Sequence, residues 1–185
     1  MAEQSREVFT VEVAGLRRDL PLFEVAPGVR IAIVNLLGDS ELIQAAADEL
    51  AKRLNHIEAD VIVTAEAKSI PLAYALSTLM QKHWVVLRKV YKPYMGDAIQ
   101  AETLSITTGQ AQTLYLDEKD RSRLRGKRVI LVDDVISTGS TLQGMRLVIQ
   151  KAEAQVVSQA AIFTEGDRAM WQDIISLGHL PVFTT

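Results

Sequence analysis

Cysteine is absent from the 185 residues. A disulfide framework, a thiolate zinc site and a cysteine nucleophile are therefore excluded, and the absence fits a reducing, cytoplasmic setting. Long apolar runs are absent too. None approaches the ~20 residues needed to span a bilayer, so no membrane partner is expected. Residues Met1 to Glu7 are polar and acidic, unlike a secretory signal. Positive charge is in slight deficit: 20 Lys and Arg stand against 23 Asp and Glu, a net charge of −3. That balance argues against a nucleic-acid partner, while leaving room for a local basic patch. The three histidines, His56, His83 and His179, share no ligand spacing and read as surface or packing residues. Trp84 and Trp171 also read as packing residues. No internal repeat or low-complexity linker interrupts the chain, and residues 1–185 read as one domain with a sizeable core.

What is present is a regular alternation of strand and helix signals. Residues 8–14 alternate as a strand, which Gly15 and the charged run Arg17-Arg18-Asp19 should close. Arg30 to Val34 is a second strand after Pro27-Gly28. Residues 1–38 thus read as a small N-terminal hood, and residues 39–165 as the core. A helix should begin near Asp39, with Leu42, Ala46, Leu50 and Leu54 on its inner face. Asp60 to Ala65 reads as a buried strand, and Pro71 opens a helix carrying Leu72, Ala75, Leu76 and Leu79. Trp84 to Leu87 is a strand that runs into the basic cluster Arg88 to Lys92. Residues 95–112 are rich in Gly, Thr, Ser and Gln and read as a long mobile excursion, from which 112–116 returns as a strand. A charged turn at 119–127 follows, then a strand from Val129, a helix with Leu142, Met145 and Ile149, and a strand at 156–163. The alternation predicts an α/β fold, a mainly parallel Rossmann-like sheet flanked by helices. In such sheets ligands bind beyond the carboxyl ends of the strands.

One stretch carries most of the chemistry. Val129 to Val132 runs into Asp133-Asp134, then into the small polar loop Ser137-Thr138-Gly139-Ser140-Thr141 and a helix. The loop offers four hydroxyls, its glycine admits close backbone approach, and the helix start points its positive end at the same spot. It is a phosphate site without the G-x-x-x-x-G-K-S/T of a Walker A loop. Two adjacent strand-end carboxylates can accept hydrogen bonds from vicinal sugar hydroxyls. Spacing alone leaves open a solvated acid pair or a metal role, as in other acid-ended α/β strands.

Val129–Leu142 resembles the phosphoribosyl pyrophosphate (PRPP) motif of the type I phosphoribosyltransferases. The resemblance implies that Asp133 and Asp134 bind the ribose hydroxyls, and that Val135, Ile136, Ser137, Thr138, Gly139, Ser140 and Thr141 cradle the 5′-phosphate. Glu66-Ala67-Lys68-Ser69 is similar to the pyrophosphate loop of the adenine phosphoribosyltransferase subfamily, E-A-R/K-G. Arg88-Lys89 with Lys92-Pro93 resembles its R-K-x-x-K-P segment, whose cations reach pyrophosphate. Leu36-Leu37-Gly38-Asp39 looks like its L-L-x-D. The resemblance covers roughly residues 28–165. It implies a magnesium ion held through the substrate, with Asp133 and Asp134 as its protein contacts, and a homodimer.

Three departures stand out. Ser69 occupies a position where the family has glycine. No E-Y-G occurs in the 95–116 excursion, which leaves Glu102 as the nearest acid for assisting the departing base. Ile31-Ala32-Ile33 replaces the F-R-D-I that frames adenine, so the base-binding residues are not assigned. The expected reaction is transfer of 5-phosphoribosyl from PRPP to a purine, adenine first, in nucleotide salvage. The alternatives are an enzyme for xanthine, hypoxanthine or guanine, and a PRPP-sensing regulator without turnover. Against the regulator stand the acidic charge and the lack of room for a helix-turn-helix domain beside the core.

Overall fold

The computed structural model describes residues 7–104 and 111–184. The chain opens with a hairpin of β1 (Val8–Val13) and β2 (Leu16–Ala26), paired from Val8 opposite Pro21 to Val13 opposite Leu16. Its turn is Ala14-Gly15, both at positive φ (51° and 74°), the geometry that matches the twist of a two-residue hairpin. The sequence reading placed Arg17, Arg18 and Asp19 in that turn; they lie inside β2. Arg18 explains the difference, because its charge has a partner far along the chain. Its Nε and Nη2 donate to the two carboxylate oxygens of Asp39 at 2.7 and 2.9 Å, and Nη2 also donates to Glu41 at 2.8 Å. β3 (Val29–Ala32) pairs antiparallel with β2.

α1 (Ser40–Leu54) is capped by Asp39, whose carboxylate accepts the Leu42 N–H at 3.0 Å, and it buries Leu42, Ala46, Ala47, Leu50 and Leu54. β4 (Val61–Ala65) is buried throughout. α2 (Ile70–Met80) starts at Pro71 and ends in the left-handed Gln81. β5 (His83–Leu87) follows, then a 3-10 turn at Pro93–Met95. β6 (Ile99–Leu104) and β7 (Ala111–Leu116) form an antiparallel hairpin. The expected excursion therefore contains a strand that the sequence reading missed, while its residues 105–110 lie outside the described residues. The charged turn at 119–127 holds a 3-10 turn at Glu118–Asp120 and the short α3 (Arg121–Leu124). β8 (Arg128–Ile136), α4 (Ser140–Lys151), β9 (Gln155–Glu165), a 3-10 turn at Arg168–Trp171, β10 (Ile175–Leu180) and β11 (Phe183–Thr184) complete the order.

The core sheet is parallel, in the order β10-β9-β8-β4-β5. Side chains alternate across it. Ile130, Val132 and Ile62 pack with α1 and α2, whereas Val129, Leu131 and Val63 pack with α4 and the β6–β7 hairpin. From β4 the chain winds outward to β5; from β8 it winds the other way to β9 and β10. The winding reverses between β4 and β8, so the crevice beyond their carboxyl ends is the expected ligand position. A second, four-stranded sheet ordered β1-β2-β3-β11 forms the hood. β11 comes from the far end of the sequence, so the hood is not confined to residues 1–38. Among the described residues no helix is long and apolar enough to cross a membrane.

Candidate active site

β8 delivers both acids to the crevice. Asp133 is opposite Ala161 on β9, one step past the pairing of Val132 with Thr64 on β4. The Asp133 carboxylate accepts the backbone N–H of Asp134 at 2.9 Å. Burial first, and then the neighbouring charge of Asp134, push the Asp133 carboxyl up to about 8. The Ser69 hydroxyl pulls it the other way. Ser69 is itself buried, accepting from Thr64 Oγ1 at 2.7 Å and lying 3.1 Å from the Ala65 carbonyl. The residue that departs from the family's glycine thus ties the loop after β4 back onto the end of that strand. Its chemistry was not visible in the sequence, because Thr64 sits in an otherwise apolar strand.

The next turn is a shallow cavity of about 80 Å³ lined by Asp133 and Val135 to Leu142. Gly139 caps α4 in the left-handed region (φ 76°), and no side chain caps that helix end. The first helical amides can therefore meet an anion, the Ser140 N–H making only a long 3.4 Å contact with Thr138 Oγ1. The hydroxyls of Thr138 and Ser140 lie 3.1 Å apart. Val135 and Ile136 belong to the strand. Their side chains pack into the core, so only their backbone faces this loop.

The segments after β4 and β5 are joined by Glu66. Its carboxylate pairs with the Arg88 guanidinium and accepts the Lys89 backbone N–H at 2.8 Å. The Glu66–Ala67 peptide is cis. Lys68 donates to the Val34 carbonyl at 3.1 Å, tying this loop to the segment below the hood. Arg88 is held in register by two backbone hydrogen bonds with Tyr115, each 2.8 Å. Contacts thus form two sets, Asp133 with Asp134 on β8, and Glu66 with Arg88 and Lys89 after β4 and β5. Among the described residues no hydrogen bond or ion pair joins Lys92 or Glu102 to either set. Glu102 lies exposed on β6 opposite Thr113, alternating with the buried Ala101 and Thr103.

Beyond β9, Asp167 caps the 3-10 turn by accepting the Ala169 N–H at 2.9 Å, and His179 bridges the Thr164 hydroxyl and the Gly166 carbonyl at 2.9 and 3.0 Å. Glu165 is buried, and that burial raises its carboxyl above the ordinary range. Among the described residues no cluster of three or more His, Asp or Glu could hold a metal alone. The Asp133–Asp134 pair fits a magnesium ion that takes most of its oxygens from substrate and water.

The phosphoribosyl transferase domain family matches residues 35–175. An adenine phosphoribosyltransferase of Thermosipho africanus is 32% identical over 77% of this chain and 81% of its own length. A hypoxanthine/guanine phosphoribosyltransferase of Methanococcus voltae is 34% identical over 69% of this chain and 64% of its own. The purine biosynthesis transcriptional repressor of Bacillus subtilis is 28% identical over 71% of this chain but only 46% of its own length. The crystal structure of adenine phosphoribosyltransferase from Thermoanaerobacter pseudethanolicus superposes with a TM-score of 0.65, at 20% identity, over 94% of this chain and 95% of that one. At that identity the superposition speaks for the fold alone.

Proposed function

This chain belongs to the phosphoribosyl transferase family, and from that premise we propose that it is a purine phosphoribosyltransferase of nucleotide salvage, with adenine as its base. The observation that carries the reading is the β8 end, where an acid pair runs directly into an uncapped helix start. The reaction forms a bond from a purine ring nitrogen to ribose C1 and breaks the C1–O bond to pyrophosphate, which leaves with the bonding pair. Positive charge builds on the sugar in the transition state, so positioning and charge placement carry the catalysis.

Asp133 and Asp134 hold the ribose hydroxyls and keep C1 over the crevice. Ser137 to Thr141 and the first amides of α4 hold the 5′-phosphate. Lys68, Arg88, Lys89 and Lys92 stabilise the charge gathering on pyrophosphate, with Glu66 fixing the angle of Arg88. Asp133 and Asp134 would hold a magnesium ion together with substrate oxygens, and such an ion would neutralise part of that leaving-group charge. The β6–β7 hairpin excludes water, which would otherwise hydrolyse PRPP at C1. Its position supports this role: Thr103 Oγ1 lies 3.4 Å from the Ser140 carbonyl, and Gln112 Oε1 lies 3.5 Å from Thr141 Oγ1. Glu102 is given no part. The exposed Val90, Tyr91 and Tyr94 beside the basic segment support pairing into a homodimer.

Adenine is placed first on the similarity to the Thermosipho enzyme, which spans most of both chains. Incubation with PRPP, magnesium and adenine, hypoxanthine, guanine or xanthine in turn tests the assignment, by following nucleotide formation. A second reading, PRPP sensing without turnover, draws on the similarity to the Bacillus repressor. It predicts PRPP binding with no nucleotide formed from any base.

A further inference from the structure

Trp171 takes no direct part in the proposed reaction, and its sequence context marks it as a packing residue. Its place is more specific. A Cβ built on Gly139 would lie 2.9 and 3.3 Å from two atoms of the Trp171 six-membered ring. The ring edge therefore fills the space behind the centre of the phosphate loop. The indole is fixed from its other end. Nε1 donates to the Glu165 carbonyl at 2.8 Å, and the Trp171 carbonyl accepts the Ile174 N–H at 3.1 Å. The side chain also packs against the core cluster that contains Ile136, Leu142 and Ile174.

The loop has little else to hold it. α4 lacks a side-chain cap. The Thr138 hydroxyl reaches the Ser140 N–H only at 3.4 Å, and the hairpin contacts at Ser140 and Thr141 are 3.4 and 3.5 Å. Such contacts are long for hydrogen bonds. A bare left-handed glycine has wide conformational freedom, and a loop that must present several amides to one dianion loses affinity if that freedom is left unrestrained. A rigid ring anchored to β9 limits it.

We propose that Trp171 is a positioning residue for the 5′-phosphate loop, acting through Gly139: its indole, pinned to the end of β9, holds the loop in the shape that binds phosphate. The inference rests on the reading of residues 137–141 as the phosphate loop. It explains why residue 139 must lack a side chain on two counts, its positive φ and the ring behind it.

Full-length Trp171→Ala and Trp171→Phe test it by steady-state kinetics with PRPP. The alanine variant should raise the KM for PRPP about 10-fold or more with kcat within about 3-fold, the pattern of lost binding common to ground and transition states. Phenylalanine keeps a flat ring behind Gly139 and should recover most of that loss. The second readout is emission in a Trp84→Phe background, where Trp171 is the sole tryptophan. Saturating ribose 5-phosphate should shift it. An alanine variant with wild-type KM, or Trp171 emission indifferent to ribose 5-phosphate that the wild type binds by calorimetry, overturns the proposal. Wild type that binds neither ribose 5-phosphate nor PRPP overturns the phosphate-loop reading itself, and the proposal with it.

Discussion

The Ser69 hydroxyl accepts from Thr64 Oγ1 at 2.7 Å and donates to the Ala65 carbonyl at 3.1 Å, buried beneath the acid pair of β8, whose Asp133 carboxyl it pulls down. Ser69→Ala removes the group that lowers the Asp133 carboxyl and leaves the Thr64 hydroxyl without its acceptor. An unmet buried polar group costs about 1–3 kcal/mol. The melting temperature should fall, and the pH at which PRPP binding reaches half its maximum should rise. Thr64→Val with Ser69→Ala should recover stability but not the pH midpoint, as melting curves and calorimetry across pH will show.

Asp133 also sets a stability trend. Burial and the adjacent Asp134 raise its folded carboxyl well above the roughly 3.9 of an unfolded aspartate. The fold favours the neutral acid, so the contribution is fully present below the unfolded value and is lost as pH rises towards 8. The ligand-free protein should lose stability as pH rises from about 4 towards 8. Asp133→Asn should flatten that slope in urea titrations while weakening PRPP binding. Equal slopes for wild type and variant would refute the assignment.

Glu66 should matter more for binding than for folding. Its pair with Arg88 is partly exposed, and such pairs contribute about 0–1 kcal/mol. Glu66→Gln should therefore lower the melting temperature by less than about 4 °C. It frees the Arg88 side chain, however, and the proposed mechanism expects the KM for PRPP to rise roughly 10-fold. Inhibition by pyrophosphate should weaken in parallel.

Asp39 serves two structures at once, capping α1 and anchoring the hood through Arg18. Asp39→Ala should cost about 1–2 kcal/mol, towards the upper end for a lost cap because the ion pair goes with it. Asp39→Asn keeps a capping oxygen and should cost less. Thermal melts of both variants check the order.

These relationships also show what the residues disclose by themselves. The stretch from Val129 to Thr141 was readable because strand, acids, loop and helix are adjacent and each has a local signature. α1 was readable from Asp39, Leu42, Ala46 and Leu50 for the same reason. Arg17-Arg18-Asp19 looked like a turn because charge marks turns; only the pairing of Arg18 with Asp39, 21 residues away, shows that β2 continues. β6 was missed because Gln100, Glu102 and Thr103 weaken its alternation, and its pairing with β7 is not local. β11 is two residues long and exists only as a partner of β3. Trp171 was legible as a packing residue, but Gly139 against it lies 32 positions earlier, and nothing in the sequence joins them.

The central claim is phosphoribosyl transfer to a purine at the β8 end. Its most direct test follows AMP and pyrophosphate with PRPP, magnesium and adenine, for wild type and for Asp133→Asn with Asp134→Asn. The wild type should yield AMP and pyrophosphate in equal amounts, and the double variant should yield neither. Absence of any nucleotide from adenine, hypoxanthine, guanine or xanthine, or undiminished turnover without the two carboxylates, would contradict it.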